Sequence, residues 1–157
     1  MKPTDVAEQN RPYFEVPVSE IPVGEARAFE WQGKPFWIVH LNREQMDVVS
    51  RGHASLKNLG TVQLEARKIN LDRYRQSNTK EILVLSLVSN VSPCGVEFKK
   101  GSPSELLDAW RGGFVDKCGK GIYDVAGRAY EQSQADAEEL KLIPYSMDGH
   151  RLRVHVN

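Results

Sequence analysis

A mainly β fold, an antiparallel sandwich or small barrel, is what this sequence predicts. Three observations carry that expectation. Short runs rich in aromatic and β-branched residues recur along the chain, turn-forming Gly, Pro and Asp separate them, and only two stretches carry helix start signals. The 157 residues suit one domain that can bury a core. Lys and Arg number 21, Asp and Glu also 21, so the formal net charge is zero. That balance offers no electrostatic footprint for nucleic acid or an anionic membrane surface. The longest apolar run, "ILVLSLV" at 82–88, is too short to cross a bilayer. No basic-then-apolar leader is visible at the start.

The elements follow in order. Residues 1–13 are polar and aperiodic and read as a flexible tail or linker. "ARAFEW" and "PFWIVHL", separated by Gln32-Gly33-Lys34, read as a β-hairpin. Asn42 suits the N-cap of a short helix over 43–50, with Glu44 in its first turn. Residues 51–80 read as an irregular connection with at most one helical turn. "EILVLSLVS" (81–89) is the strongest strand, apolar enough to be buried on both faces. "NVSPCGVEF" reads as a loop. Ser102, Pro103 and Glu105 start a short helix as N-cap, first helical residue and capping-box partner, and "RGGF" ends it. "GIYDV" and "RAYEQ" read as two short strands about the Ala126-Gly127 turn. "LKLIPYS" and "HRLRVHV" flank Met147-Asp148-Gly149, a hairpin signal. In the last strand Leu152, Val154 and Val156 face one way, and Arg151, Arg153 and His155 the other.

Few residues offer chemistry. The histidines, His40, His53, His150 and His155, have no zinc-ligand spacing with each other or with Cys94 and Cys118. No nucleophile elbow or phosphate loop is present, and "CGKG" lacks the required spacing. Asp108, Asp116 and Asp124 are scattered, and "DAEEL" at 136–140 reads as a solvated acidic loop. Two cysteines fit an internal bridge or two buried thiols, and composition does not choose. Lys117 and Lys120 flank Cys118 and favour its thiolate slightly.

Taken together, "SNVSPC" (89–94) after a buried strand and "DKCGKGIYDVAGR" (116–128) resemble the two cluster loops of the Rieske iron–sulfur subunit of ubiquinol–cytochrome c reductase. "FEWQGKPFWIVHLNREQ" and "IPYSMDGHRLRV" are similar to that family's first and closing hairpins, so the resemblance covers roughly residues 14–157. It implies a Rieske-like antiparallel β-sandwich with a smaller cluster-binding-type subdomain and one or two short helices. The base fold would span about 14–88 and 126–157, and the degenerate subdomain about 89–125.

The family holds a [2Fe–2S] cluster with two cysteines and two histidines. At those places this chain has Ser89, Val91, Asp116 and Gly119. Valine and glycine supply no donor, and serine and aspartate supply hard oxygens where a cluster takes thiolate and imidazole. The resemblance therefore implies a degenerate site with no cluster, no other metal and no Rieske-type redox activity. Cys94 and Cys118 match the family's interloop disulfide. Such a bridge, closing about 25 residues, would stabilise the fold by roughly 3.5 kcal/mol and implies an oxidising compartment. Tyr123 matches a tyrosine that bonds a cluster-ligand sulfur, Gly121 replaces a serine that bonds the cluster, and "EQSQADAEEL" stands where the family has its Gly-Pro-Ala-Pro cover.

The expected function is a cluster-free binding, assembly or structural subunit of a periplasmic or membrane complex, with a protein partner and an N-terminal inner-membrane anchor in the full-length protein. Val91, Ser92, Pro93 and Gly119 form its expected docking tip. Two alternatives are a Rieske-type [2Fe–2S] electron-transfer subunit and a thiol–disulfide redox protein using Cys94 and Cys118.

Overall fold

The computed structural model describes residues 12–51, 82–90, 93–100, 112–131, 133–134 and 136–155. The expected helix from Ser102, the connection over 52–80, and Val91 and Ser92 lie outside the described residues. Strands β1 (Phe14–Pro17), β2 (Ala26–Trp31), β3 (Lys34–His40), β4 (Ile82–Ser86), β5 (Val96–Lys99), β6 (Gly113–Asp116), β7 (Ile122–Tyr123), β8 (Tyr145–Asp148) and β9 (Arg151–Val154) form three antiparallel sheets. Their orders are β1-β9-β8, β2-β3-β4 and β5-β6-β7. Helix α1 (Arg43–Arg51) and a 3-10 turn over Val18–Glu20 complete the described elements. Among the described residues no helix is long and apolar enough to cross a membrane.

The β2-β3-β4 sheet lies between two cores, and strand periodicity explains how. Successive side chains point to opposite faces. On β3 and β4, Phe36, Ile38, Ile82 and Val84 join one apolar cluster with Val16, Trp31, Leu152 and Val154. Val39, Leu83 and Leu85 join the other, with Phe114, Tyr123 and Ala126. A strand with a core on each side has no solvent face, so its sequence runs apolar without alternation. That is why "ILVLSLV" reads as it does. The first core is aromatic, with the Phe14 ring 5.1 Å from Phe29 and 5.4 Å from Phe36. In the second, Trp37 packs 5.6 Å from Phe114 and donates Nε1–H to the Val96 carbonyl at 3.2 Å, tying the middle sheet to the loop-bearing sheet.

The two hairpins form as expected. Gln32 and Gly33 turn the first with φ of 53° and 78°, the left-handed pair that matches the twist of a two-residue loop. The second pairs Asp148 with Arg151 across Gly149 and His150. Leu152 and Val154 are buried, while Arg151 and Arg153 reach Glu15 on β1 at 2.6 and 2.7 Å. Asn42 caps α1 reciprocally: Gln45 N–H donates to Asn42 Oδ1 at 2.7 Å, and Asn42 N–H to Gln45 Oε1 at 2.8 Å.

Three expectations change. "GVEF" and "GFVD" are the paired strands β5 and β6 rather than loop and helix end. Phe14–Pro17, which no pattern marks, is β1, paired with β9. "GIYDV" and "RAYEQ" do meet about their turn, through an antiparallel bridge of Tyr123 with Ala129 and backbone bonds from Asp124 to Arg128 and from Tyr130 to Ile122, but only Ile122–Tyr123 is a strand, β7, and it pairs with β6.

Candidate functional site

The β5–β6 register builds the site. Val96 lies opposite Asp116. Continuing that antiparallel register two residues past the strand ends sets Cys94 opposite Cys118. The two are joined by a disulfide, with their Cα atoms 5.9 Å apart. Lys117 N–H donates to the Gly95 carbonyl at 3.0 Å, so the two loops are joined by backbone as well as by sulfur.

Asp116 organises the second loop. Its side-chain Oδ1 accepts the Cys118 N–H at 2.8 Å. Its carbonyl accepts the Gly119 N–H at 2.9 Å, and its own N–H donates to the Gly121 carbonyl at 2.9 Å. These bonds fold 116–121 into a tight turn. Behind the bridge, Ser89 Oγ donates to Asp116 Oδ2 at 3.5 Å, and both residues are buried. Cys94 is half-buried; Pro93, Cys118, Gly119 and Lys120 are exposed. Of the four degenerate ligand positions, Ser89 and Asp116 meet inside, Gly119 lies at the surface, and Val91 is outside the described residues.

Tyr123 closes the inner wall. It is fully buried, and a Cβ added at Gly121 would fall within hard contact of its hydroxyl. Burial pushes its phenol above the usual value; the Ser89 hydroxyl beside it pulls it back, and the Asp116 charge pushes it further up.

The Tyr-Asp…Gly-Arg stretch has a structural role that sequence spacing did not disclose. Asp124 Oδ1 accepts the N–H groups of Ala126 and Arg128, each at 2.9 Å, and Arg128 Nε donates to Asp124 Oδ2 at 2.6 Å. Both side chains are about 3% exposed, so the carboxylate that caps the turn is neutralised inside it. The Asp-to-Arg spacing of four was the available signal.

Residues 133, 134 and 136–138 lie against both loops. Asn90 Nδ2 donates to the Asp136 carbonyl and its Oδ1 accepts the Glu138 N–H, each at 2.9 Å. Gln134 N–H donates to the Lys120 carbonyl at 2.9 Å, and Ser133 Oγ bonds both the N–H and the carbonyl of Ile122. The acidic run is therefore only half solvated: Asp136 and Glu138 are exposed, while Ala137 and Leu140 are buried. Asn90 and Ser133 were not legible as site residues, because their partners lie 46–48 and 11 residues away.

No family model matches the chain. It is similar to the ubiquinol–cytochrome c reductase iron–sulfur subunit of Allochromatium vinosum, with 25% identity over 122 residues, or 77% of this chain. The chain is Rieske-like. It spans 58% of that relative's length. It is also similar to a chain of a hyperthermophilic respiratory Complex III, with a TM-score of 0.48, 17% identity, and coverage of 96% of this chain and 80% of that one.

In this Rieske-like tip, the donor atoms that converge among the described residues are Cys94 Sγ, Cys118 Sγ and an Asp116 carboxylate oxygen, all within 4.8 Å of one another. Among the described residues no imidazole joins them. His40 Nδ1–H donates to the Ile21 carbonyl at 2.7 Å, and His155 Nε2 lies 3.1 Å from Ser146 Oγ. His150 is exposed in the closing turn.

Proposed function

We propose that this chain is a cluster-free Rieske-fold protein that serves as a binding, assembly or structural subunit of a multi-subunit complex at the periplasmic face of a membrane. The observation that carries the reading is the contact of Ser89 with Asp116 at 3.5 Å, inside a wall closed by Tyr123. Two positions that would grip a cluster instead touch each other. A third, Gly119, and a fourth, Val91, carry no donor atom. Tyr123 fills the space a serine Cβ would take at Gly121. This donor set does not fit a [2Fe–2S] cluster, which takes thiolate and imidazole.

The bridge, the backbone bond from Lys117 to Gly95, and the contacts of Ser133, Gln134, Asp136 and Glu138 stiffen the tip without any cofactor. A rigid tip loses little entropy on docking. Its outer surface presents Pro93, Gly119 and the Lys117 and Lys120 ammonium groups. These suit a partner surface that is part apolar and part acidic. A disulfide suits an oxidising compartment, and an N-terminal membrane anchor in the full-length protein would hold the tip near its complex.

The decisive measurement is iron and acid-labile sulfide in anaerobically purified protein, before and after reconstitution. The expected result is colourless protein with neither. About two irons per chain with a Rieske-type spectrum would overturn this reading and establish electron transfer, which the name of the Allochromatium vinosum relative favours. A photo-crosslinker at position 93 or 119, used in membranes of the source organism, then tests docking. Adducts at the tip and none from a β8–β9 surface position are expected.

A further inference from the structure

We infer that reductive opening of the Cys94–Cys118 bridge converts the tip into a binding site for a thiophilic divalent cation of the zinc class, held by both thiolates and the Asp116 carboxylate. This goes beyond the docking role and does not depend on it.

Two observations carry it. The first is convergence: the two sulfurs and a carboxylate oxygen already lie within 4.8 Å of one another. Tetrahedral zinc, with Zn–S near 2.3 Å and Zn–O near 2.0–2.2 Å, needs its donors roughly 3.5–3.8 Å apart. A pair of sulfurs released from a covalent bond separates to that distance by side-chain rotation, and a Cα separation of 5.9 Å accommodates it. The second is Asp116 itself. It is 2% exposed, and among the described residues no cation lies within ion-pair distance of it. Its Oδ1 holds the Cys118 N–H at 2.8 Å, but among the described residues its Oδ2 has only the long 3.5 Å contact from Ser89. Among the described residues, this buried carboxylate with one weakly held oxygen beside two sulfurs lacks a counter-charge. A divalent cation supplies it.

The chemistry balances. A dithiol gives two electrons and two protons to the bridge, becomes a disulfide, and leaves two protein thiols. Zinc then displaces both thiol protons to solvent. Two thiolates and one carboxylate around Zn2+ leave a net charge of −1, which the exposed ammonium groups of Lys117 and Lys120 offset. Three protein ligands leave the fourth position to water, and the exposure of Cys118 and Gly119 opens it to solvent.

The test compares oxidised protein with protein reduced anaerobically by a phosphine, since a dithiol would itself bind zinc. Zinc uptake is read by elemental analysis after desalting, the site is read by the thiolate-to-cobalt charge-transfer band with Co2+, and fold is followed by circular dichroism. The expected result is one metal per reduced chain and none per oxidised chain. Asp116→Asn keeps an oxygen for the Cys118 N–H and should bind zinc roughly tenfold or more weakly. Cys118→Ser should abolish the charge-transfer band. Any of three results overturns the proposal: equal uptake by oxidised and reduced protein, no uptake by reduced protein, whether folded or not, or unchanged affinity in Asp116→Asn.

Discussion

The half of the molecule around the Phe14–Phe29–Phe36 cluster and the half carrying the two loops are stabilised by different kinds of interaction. The first is built by area: rings and branched chains from β1, β3, β4 and β9 pack without a charged group among them. The second has an apolar floor in Phe114, Leu83 and Leu85, but its loops are positioned by bonds that can be counted one at a time. These are the disulfide, the Asp124–Arg128 pair, the Asp116 turn and the Asn90 clamp. Burial is non-directional and tolerates change of detail, whereas each polar bond fixes one geometry. A fold divided in this way can alter the residues of its tip while its base stays intact.

Substitutions sharpen this contrast. The largest loss is expected from Phe36→Ala, which empties the centre of the aromatic cluster. It should cost about 4 kcal/mol globally, read as a lower denaturation midpoint seen by every probe. Replacing both cysteines by serine should cost roughly 3.5 kcal/mol of global stability on the chain-entropy model. Hydrogen exchange should rise first at residues 94–96 and 116–121, while β3 and β4 amides stay protected. If β3 and β4 open together with the loops, the two halves are one unit and the contrast fails.

Asn90→Ala removes both bonds to the 136–138 backbone. About 1 kcal/mol is expected, with faster exchange at Glu138 and little change in the midpoint. The smallest effect is at the surface. Hydrogen bonds from Arg153 and Arg151 hold the Glu15 carboxyl below the usual carboxylate range. A lowered folded pKa means its contribution is present above the unfolded value near 4.3 and is lost as pH falls through the folded one. Glu15→Gln should therefore cost under about 1 kcal/mol at neutral pH and nothing at strongly acid pH, measured by urea titration at each.

The same division explains what the sequence revealed. Apart from β1, the base was legible because its signals are local: a two-residue turn between β2 and β3, an Asp-Gly turn before β9, and a continuous apolar run for a strand with a core on either side. Asn42 as a helix cap was legible for the same reason, although its partner Gln45 was not singled out. The strands β5 and β6 were not legible. Each has four residues, and the glycines, proline and cysteines around them are turn signals that overrode a short β pattern. Tip contacts such as Asn90 to Glu138 join residues 48 apart and leave no periodic trace. The Ser89–Asp116 contact spans 27 residues and depends on the β5–β6 pairing that was missed. Only resemblance to a known pair of loops brought those positions together before the fold did.

The meeting of Gly121 with the Tyr123 hydroxyl bears on any effort to engineer redox function into this scaffold. Installing cysteines at 89 and 116 and histidines at 91 and 119 would supply four donors, yet the tyrosine would still stand against the position from which a serine would tune them. A fifth exchange, Gly121→Ser, sets a new carbon in hard contact with that buried ring, which must shift to admit it. The placement of the Tyr123 ring is therefore part of any such graft, alongside the four ligands.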